Sequence, residues 1–258
     1  MGILNGKTAL ITGGTAGIGA AAGRMLAAAG AAVILAGRRV EQGEQVAAAI
    51  RAQGGDAHFI QTDVTIEEQV AALVSEAKRR CGRLDIAFNN AGENRSFGPL
   101  EKVSGESFIE SLTVNLVSVF YSLKYELPAL QEIGGGSIIN TASTAGVMGV
   151  AQGISGYVAA KHGVVGLTRA AALEQAHNHI RVNAIVPGPI ASESWSARVS
   201  PIPGMPERVA ASVPLGRVGT LDDVAALVLF LASDAAGFIT GAAIPIDGGI
   251  TAGAAKGW

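Results

Sequence analysis

"TALITGGTAGIG", Thr8 to Gly19, is the stretch that decides the fold. A short apolar run passes straight into a turn carrying Gly13, Thr15, Gly17, Ile18 and Gly19, and a helical pattern follows over 17–29. Strand, glycine turn and helix in that order form the local arrangement a dinucleotide site requires. The backbone must come close to a pyrophosphate, and the helix N-terminus offers free N–H groups and the positive end of its dipole. Bulky side chains at Gly13, Gly17 or Gly19 would obstruct that approach. The spacing is G-x-x-x-G-x-G rather than the commoner G-x-G-x-x-G.

The same alternation continues along the chain. Apolar runs at 8–12, 31–36, 57–62, 84–89, 136–142, 180–186 and 242–247 alternate with amphipathic segments at 17–29, 40–53, 66–80, 104–130, 155–176 and 221–232. Runs this apolar are expected to be buried on both faces, as in a parallel sheet covered by helices. The prediction is an α/β fold, a doubly wound Rossmann-type sheet of seven parallel strands in one domain spanning 1–258. One region breaks the rhythm: Pro187 to Pro214 holds six of the nine prolines, with Trp195 and Met205 among them. A long irregular segment there, about 189–215, is read as a lid over a binding site.

Composition removes other classes. With 49% hydrophobic residues over 258 positions the chain can bury a sizeable core, and a net charge of −2 without a basic stripe argues against nucleic acid as a partner. Cys81 stands alone, so no internal disulfide is expected. Of the four histidines only His177 and His179 are close in sequence, and no carboxylate or Cys lies at ligand spacing around them, so no metal is expected. The first strand begins at Lys7, too early for a signal peptide, and no apolar run approaches the roughly 18 residues of a spanning helix. A soluble, cytoplasmic protein with no membrane partner is expected.

The end of the second strand discriminates between cofactors. NAD-binding sheets usually place an acid there for the ribose hydroxyls. This chain reads "LAGRR", with Gly37 at that position, then Arg38 and Arg39. A guanidinium can take a 2′-phosphate in bidentate fashion, which favours NADP(H), with NAD(H) still possible.

In "SGYVAAKHG" (155–163), Tyr157 and Lys161 stand four apart. Alone, such a pair is an ordinary helix-face contact. In company it is more. "TGGTAGIG", Asp63 in "TDV", "NNAG" (89–92), Asn115 in "TVNLVSVF", Ser143 in "NTASTAG", "YVAAK", "PGPIAS" (187–192) and "IDGG" (246–249) occur together in order. In this the chain resembles the short-chain dehydrogenase/reductase family, the single-domain branch of roughly 250 residues, over nearly its whole length.

The resemblance implies an oxidoreductase that interconverts a ketone or aldehyde and a secondary or primary alcohol. Tyr157 would be the general acid/base, which requires its pKa to fall from about 10 toward neutrality, helped by the nearby ammonium. Lys161 would also bind the nicotinamide ribose, Ser143 would donate to the substrate oxygen, and Asn115 would hold a water linking Lys161 to solvent. Asn89, Ala91 and Gly92 would line the adenosine side and support the central strand, and Asp63 and Val64 would contact the adenine. Pro187, Gly188, Ile190 and Ser192 would meet the nicotinamide. Pairing through the helices at 104–130 and 155–176 and through the last strand implies a homotetramer. Two features depart from the pattern. Ala16 stands where NADP-preferring relatives often carry a base, and fourteen residues separate Ser143 from Tyr157, which suggests a bulge within 147–154.

Two alternatives remain. A 3-oxoacyl-carrier-protein reductase would want basic residues near the site mouth, and 127–136 has none. A non-catalytic cofactor-sensing regulator would tend to lose part of the Asn–Ser–Tyr–Lys set. An enoyl reductase would space Tyr and Lys by seven.

Overall fold

The computed structural model describes residues 2–94, 97–150 and 153–253, with the side chains of Ser194 and Arg198 left out. The first strand, β1 (Thr8–Thr12), is buried at every residue. It lies between two parallel neighbours, so both of its faces meet helices. In chain order there follow α1 (Gly17–Ala28), β2 (Ala32–Gly37), α2 (Val40–Ala52), β3 (Asp56–Gln61), α3 (Glu67–Cys81) and β4 (Ile86–Asn89). The second half contains α4 (Gly105–Leu112), α5 (Ser118–Glu132), β5 (Gly136–Thr141), α6 (Ser155–Gln175) and β6 (Ile180–Pro187). It closes with α7 (Glu193–Val199), α8 (Met205–Ser212), α9 (Leu221–Ala232) and β7 (Ala243–Ile246).

The strands form one parallel sheet in the order β3-β2-β1-β4-β5-β6-β7. On one face Leu26 of α1, Ala47 of α2 and Val228 of α9 pack on the strands. On the other, Leu73 of α3, Leu123 and Leu130 of α5 and Val164 of α6 do so. The strand order reverses between β1 and β4, and a crevice opens there outside the carboxyl ends of the strands. The outer strands β3 and β7 are not buried throughout, because each lacks a neighbour on one side.

Two expectations need correction. The helix expected over 104–130 is interrupted by a π-helical turn, Thr113–Val117, between α4 and α5. The proline-rich segment is not irregular throughout: α7 and α8 occupy much of it, with Ser192 capping α7 and Pro206 in the first turn of α8, a position that does not need its N–H. The bulge expected within 147–154 falls partly on residues 151 and 152, outside the described residues.

A polar layer crosses the core. Asn89 Nδ2 donates to Glu126 Oε2 at 2.9 Å and to Asn140 Oδ1 at 3.0 Å, and Asn140 Nδ2 donates to Thr168 Oγ1 at 3.0 Å. Four elements, α5, β4, β5 and α6, are thereby joined. Glu126 is wholly buried, and burial pushes its carboxyl up to about 7 against the lowering effect of the Asn89 bond. Between its ordinary value near 4.5 and 7 the folded chain keeps a proton that the unfolded chain releases, so this group's contribution to stability declines as pH rises through that window. Glu126→Gln keeps an acceptor for Asn89 and removes the titration. Thermal melts from pH 4 to 8 should show the unmodified protein losing up to about 3 kcal/mol relative to the variant. Parallel pH profiles would refute this account.

Candidate active site

The glycine turn is built by close backbone approach. Gly13 has φ +67°, and a β-carbon there would stand 2.9 Å from Ala91 Cα; at Gly19 it would stand 2.2 Å from Gly13 O. Gly13 therefore lets the β1 turn lie directly against the chain leaving β4. Thr12 Oγ1 accepts from the N–H groups of Asn90 (3.1 Å) and Ala91 (3.2 Å), and Asn90 Nδ2 donates to Gly13 O at 3.3 Å. No side chain caps the N-terminus of α1 at Ala16, and no acid lies in its first turn. Its N–H groups and dipole thus face the crevice, as anion binding requires. Ile18 packs on the core behind the turn.

At the end of β2 the two arginines separate. Arg39 Nη2 donates to Thr15 Oγ1 at 2.9 Å, while Arg38 Nη2 reaches Glu93 Oε2 at 3.2 Å. A β-carbon on Gly37 would lie 2.6 Å from Thr15 Cγ2. Asp63 Oδ1 accepts from the N–H and hydroxyl of Thr65, and Val64 is buried behind it. Arg38, Thr62 and Asp63 share the lining of a cavity of about 680 Å³ with the apolar Ile66 and Leu73.

At the other end of the crevice, Lys161 is 2% exposed. Its Nζ donates to Thr141 O at 2.7 Å and lies 5.5 Å from the centroid of the Tyr157 ring. Burial pulls the ammonium down to about 8. Asn115 sits in the π turn, where Nδ2 donates to Ser111 O (2.9 Å) and Glu93 O (2.7 Å). Its Oδ1 is buried without a hydrogen-bond partner among the described residues. A β-carbon on Gly92 would meet that oxygen at 2.8 Å and Lys161 Nζ at 3.4 Å, so the carbonyl oxygen and the ammonium border the same space. Ser143 follows Thr141 by two residues and accepts from Ala145 N–H at 3.2 Å.

The chain beyond β6 forms a wall of the crevice. Pro187 ends the strand, and Gly188 lies so near β7 that a β-carbon would be 2.8 Å from Asp247 Cα. Ile190 pairs with Gly219, and a β-carbon on Gly17 would lie 3.7 Å from Ser192 Cβ and 3.6 Å from Glu193 Oε2. Phe97, Leu100, Val147 and Met148 are exposed on segments that lead to the N-terminal end of α6: Gly98 N–H donates to Gly153 O at 2.8 Å.

Most of the residues singled out from sequence thus converge on one crevice. Asn89 turns its side chain into the core toward Glu126 and Asn140, where it supports the central strand as expected, rather than toward the crevice. Sequence reasoning missed Asn90, Glu93 and Glu126. Glu126 was detectable, because it falls on the buried stripe of α5 with Val119, Ser122, Leu123 and Leu130. Among the described residues no cluster of three or more His, Cys, Asp or Glu could hold a metal, and no helix is long and apolar enough to cross a membrane.

A family model described as enoyl-(acyl carrier protein) reductase matches residues 13–251. Cyclohexanol dehydrogenase of Acinetobacter sp. (strain SE19) is 42% identical over 251 residues, which cover 96% of each chain. The crystal structure of levodione reductase matches with a TM-score of 0.92 at 37% identity, covering 97% of this chain and 100% of that one. NAD+-bound xylitol dehydrogenase matches at 0.91 with 34% identity, covering 95% and 99% of the two chains. A variant of actinorhodin polyketide ketoreductase with NADPH matches at 0.89 with 33% identity, covering 95% and 97%.

A buried ammonium bonded to a carbonyl rather than a carboxylate is a burden on folding. Lys161→Met should raise stability near pH 7 by about 1–2 kcal/mol net of the bond to Thr141 O, given a depressed pKa whose full cost is about 3 kcal/mol. The gain should shrink between pH 8 and 10.5, where the folded protein is the first to shed the proton. Melting curves at pH 7 and pH 10 check the sign; a variant destabilised equally at both would contradict it.

Proposed function

The chain belongs to the short-chain dehydrogenase/reductase family, oxidoreductases acting on CH–OH groups, and we propose that it interconverts apolar ring ketones and secondary alcohols with Tyr157 as general acid/base. The observation that carries this reading is the buried Lys161 ammonium beside the Tyr157 ring, bordering one space with Asn115 Oδ1. In that place the positive charge favours the phenolate, so the phenol can give a proton to a carbonyl oxygen or take one from an alcohol. Ser143 donates its hydroxyl to the same substrate oxygen. Asn115 offers the acceptor through which a water relays protons between Lys161 and solvent.

The crevice suits a nicotinamide dinucleotide, because the N-terminus of α1 is uncapped and a β-carbon at Gly17 would point across it toward Ser192 and Glu193. When bound, that cofactor supplies or accepts the hydride. Gly13, Thr15, Gly17, Ile18 and Gly19 hold its pyrophosphate, with Asp63, Val64, Ala91 and Gly92 on the adenosine side and Asn89 supporting them from the core. Tyr157, Lys161, Pro187, Gly188, Ile190 and Ser192 hold the nicotinamide end. Arg38 takes a 2′-phosphate, so NADP(H) is preferred; Arg39, engaged with Thr15, acts through that hydroxyl.

The substrate class rests on the exposed Phe97, Leu100, Val147 and Met148 around the N-terminal end of α6, and on the activities named for the relatives, cyclohexanol dehydrogenase and levodione reductase. The segment at about 189–215 serves as the lid. Assembly into a homotetramer is supported by large apolar side chains left exposed on the helices expected to pair, Ile109 on α4, Phe120 on α5 and Leu173 on α6.

Tyr157→Phe should lower kcat by about 10²–10⁴-fold while leaving cofactor affinity near its normal value, because only the proton donor is removed. Near-normal turnover in a folded variant would refute the mechanism. Arg38→Leu should lower kcat/KM for NADPH by roughly ten- to a hundredfold and spare NADH. An unchanged ratio would mean that Arg38 does not read the phosphate.

A further inference from the structure

The acid that NAD-binding sheets carry at the end of β2 cannot be placed in this chain without displacing Thr15. A β-carbon at Gly37 meets Thr15 Cγ2 at 2.6 Å, and the Thr15 hydroxyl is held by Arg39. An acid is nevertheless present at that mouth, and it comes from the opposite wall. Glu93 lies beyond the end of β4, and its Oε2 pairs with Arg38 Nη2 at 3.2 Å. Since β1 lies between β2 and β4 in the sheet, this pair spans the crevice above the carboxyl end of β1.

We propose that Glu93 is a cofactor-discriminating residue: it supplies from β4 the ribose-binding carboxylate that β2 lacks, and it competes with a 2′-phosphate for Arg38. The proposal rests on the reading of this crevice as the site of the adenosine half. Three observations support it. The main chain of Glu93 is pinned, because its carbonyl accepts from Asn115 Nδ2 at 2.7 Å, so the carboxylate works from a fixed base. Both partners are about half exposed, at 51% and 42%, so the pair is weak and a ligand can part it. Arg39 bonds to Thr15 instead, which makes Arg38 the guanidinium shared between Glu93 and an incoming phosphate.

The charges then work as a balance. An unphosphorylated ribose leaves Arg38 with Glu93 and presents hydroxyls that a carboxylate accepts. A 2′-phosphate attracts Arg38 and is repelled by Glu93, so the two side chains oppose each other. Glu93 therefore narrows the preference that Arg38 alone would impose, and the enzyme accepts both cofactors.

The test uses the intact protein and two fragments that differ only in the group at issue, adenosine 2′,5′-bisphosphate and adenosine 5′-monophosphate. Calorimetric titration of Glu93→Gln should show the bisphosphate binding roughly three- to tenfold tighter and the monophosphate binding equally or more weakly. Glu93→Ala should move the ratio in the same direction, which guards against a local effect of the amide. In an Arg38→Leu background the gain for the bisphosphate should shrink, because the competition for Arg38 has gone. An unchanged ratio in both Glu93 variants, with both fragments bound by the unmodified protein, overturns the role of Glu93 and leaves the crevice reading standing. Failure of the unmodified protein to bind either fragment overturns both.

Discussion

Removing the Lys161 ammonium from water is the costly step around which this end of the crevice is built. The interior site gives it a carbonyl oxygen, Thr141 O at 2.7 Å, and an aromatic face, rather than a carboxylate. A carboxylate would have made the site easier to fold and cancelled its field. A neutral acceptor leaves the charge uncompensated, and the depression of its pKa to about 8 records the strain. In the proposed mechanism, that uncompensated field is what favours the phenolate of the neighbouring Tyr157. The position of Lys161 depends in turn on how closely α6 can approach the turn after β5. At Gly146 a β-carbon would stand 2.6 Å from Lys161 O, so a larger residue would lift the helix off the sheet.

The glycine-turn end of the crevice follows the same logic with backbone in place of charge. Thr12 Oγ1 accepts two N–H groups from the chain leaving β4, and Gly13 lets the two segments touch. The two ends of the crevice are then linked through residues 89–93. Asn89 reaches down to Glu126, Asn90 across to the turn, Gly92 against Asn115 and Lys161, and Glu93 out to Arg38. A single segment at the reversal of strand order thus sets the width of the site along its whole length.

The sequence made the fold legible because its strands are short apolar runs separated by amphipathic helices, a pattern that leaves few topologies open. β1 was readable to the residue. The break between α4 and α5 was not, since the 3.6-residue stripe continues across it. Only the turn geometry shows that Asn115 bonds back to Ser111 O. The glycine turn and the Tyr157–Lys161 pair were readable because their spacing is local. The partners of Arg38 and Arg39 were not, because they depend on which neighbouring wall supplies an oxygen. Composition also misled: six prolines suggested an irregular segment, yet a helix accepts proline in its first turn, and Met205–Ser212 uses that allowance.

Burial is distributed unevenly along the chain beyond β6. The first part, through Ser192, is tied by backbone: Gly188 N–H to Ile246 O, Ile190 against Gly219, and Ala191 N–H to Gly219 O. It is joined by these bonds to the end of β7 and to the segment at Gly219. The second part includes α8, which has no buried residue. A helix with so little buried surface adds little to global stability and opens at low cost. Substitutions on α8 can therefore be accommodated without loosening the wall beside the glycine turn.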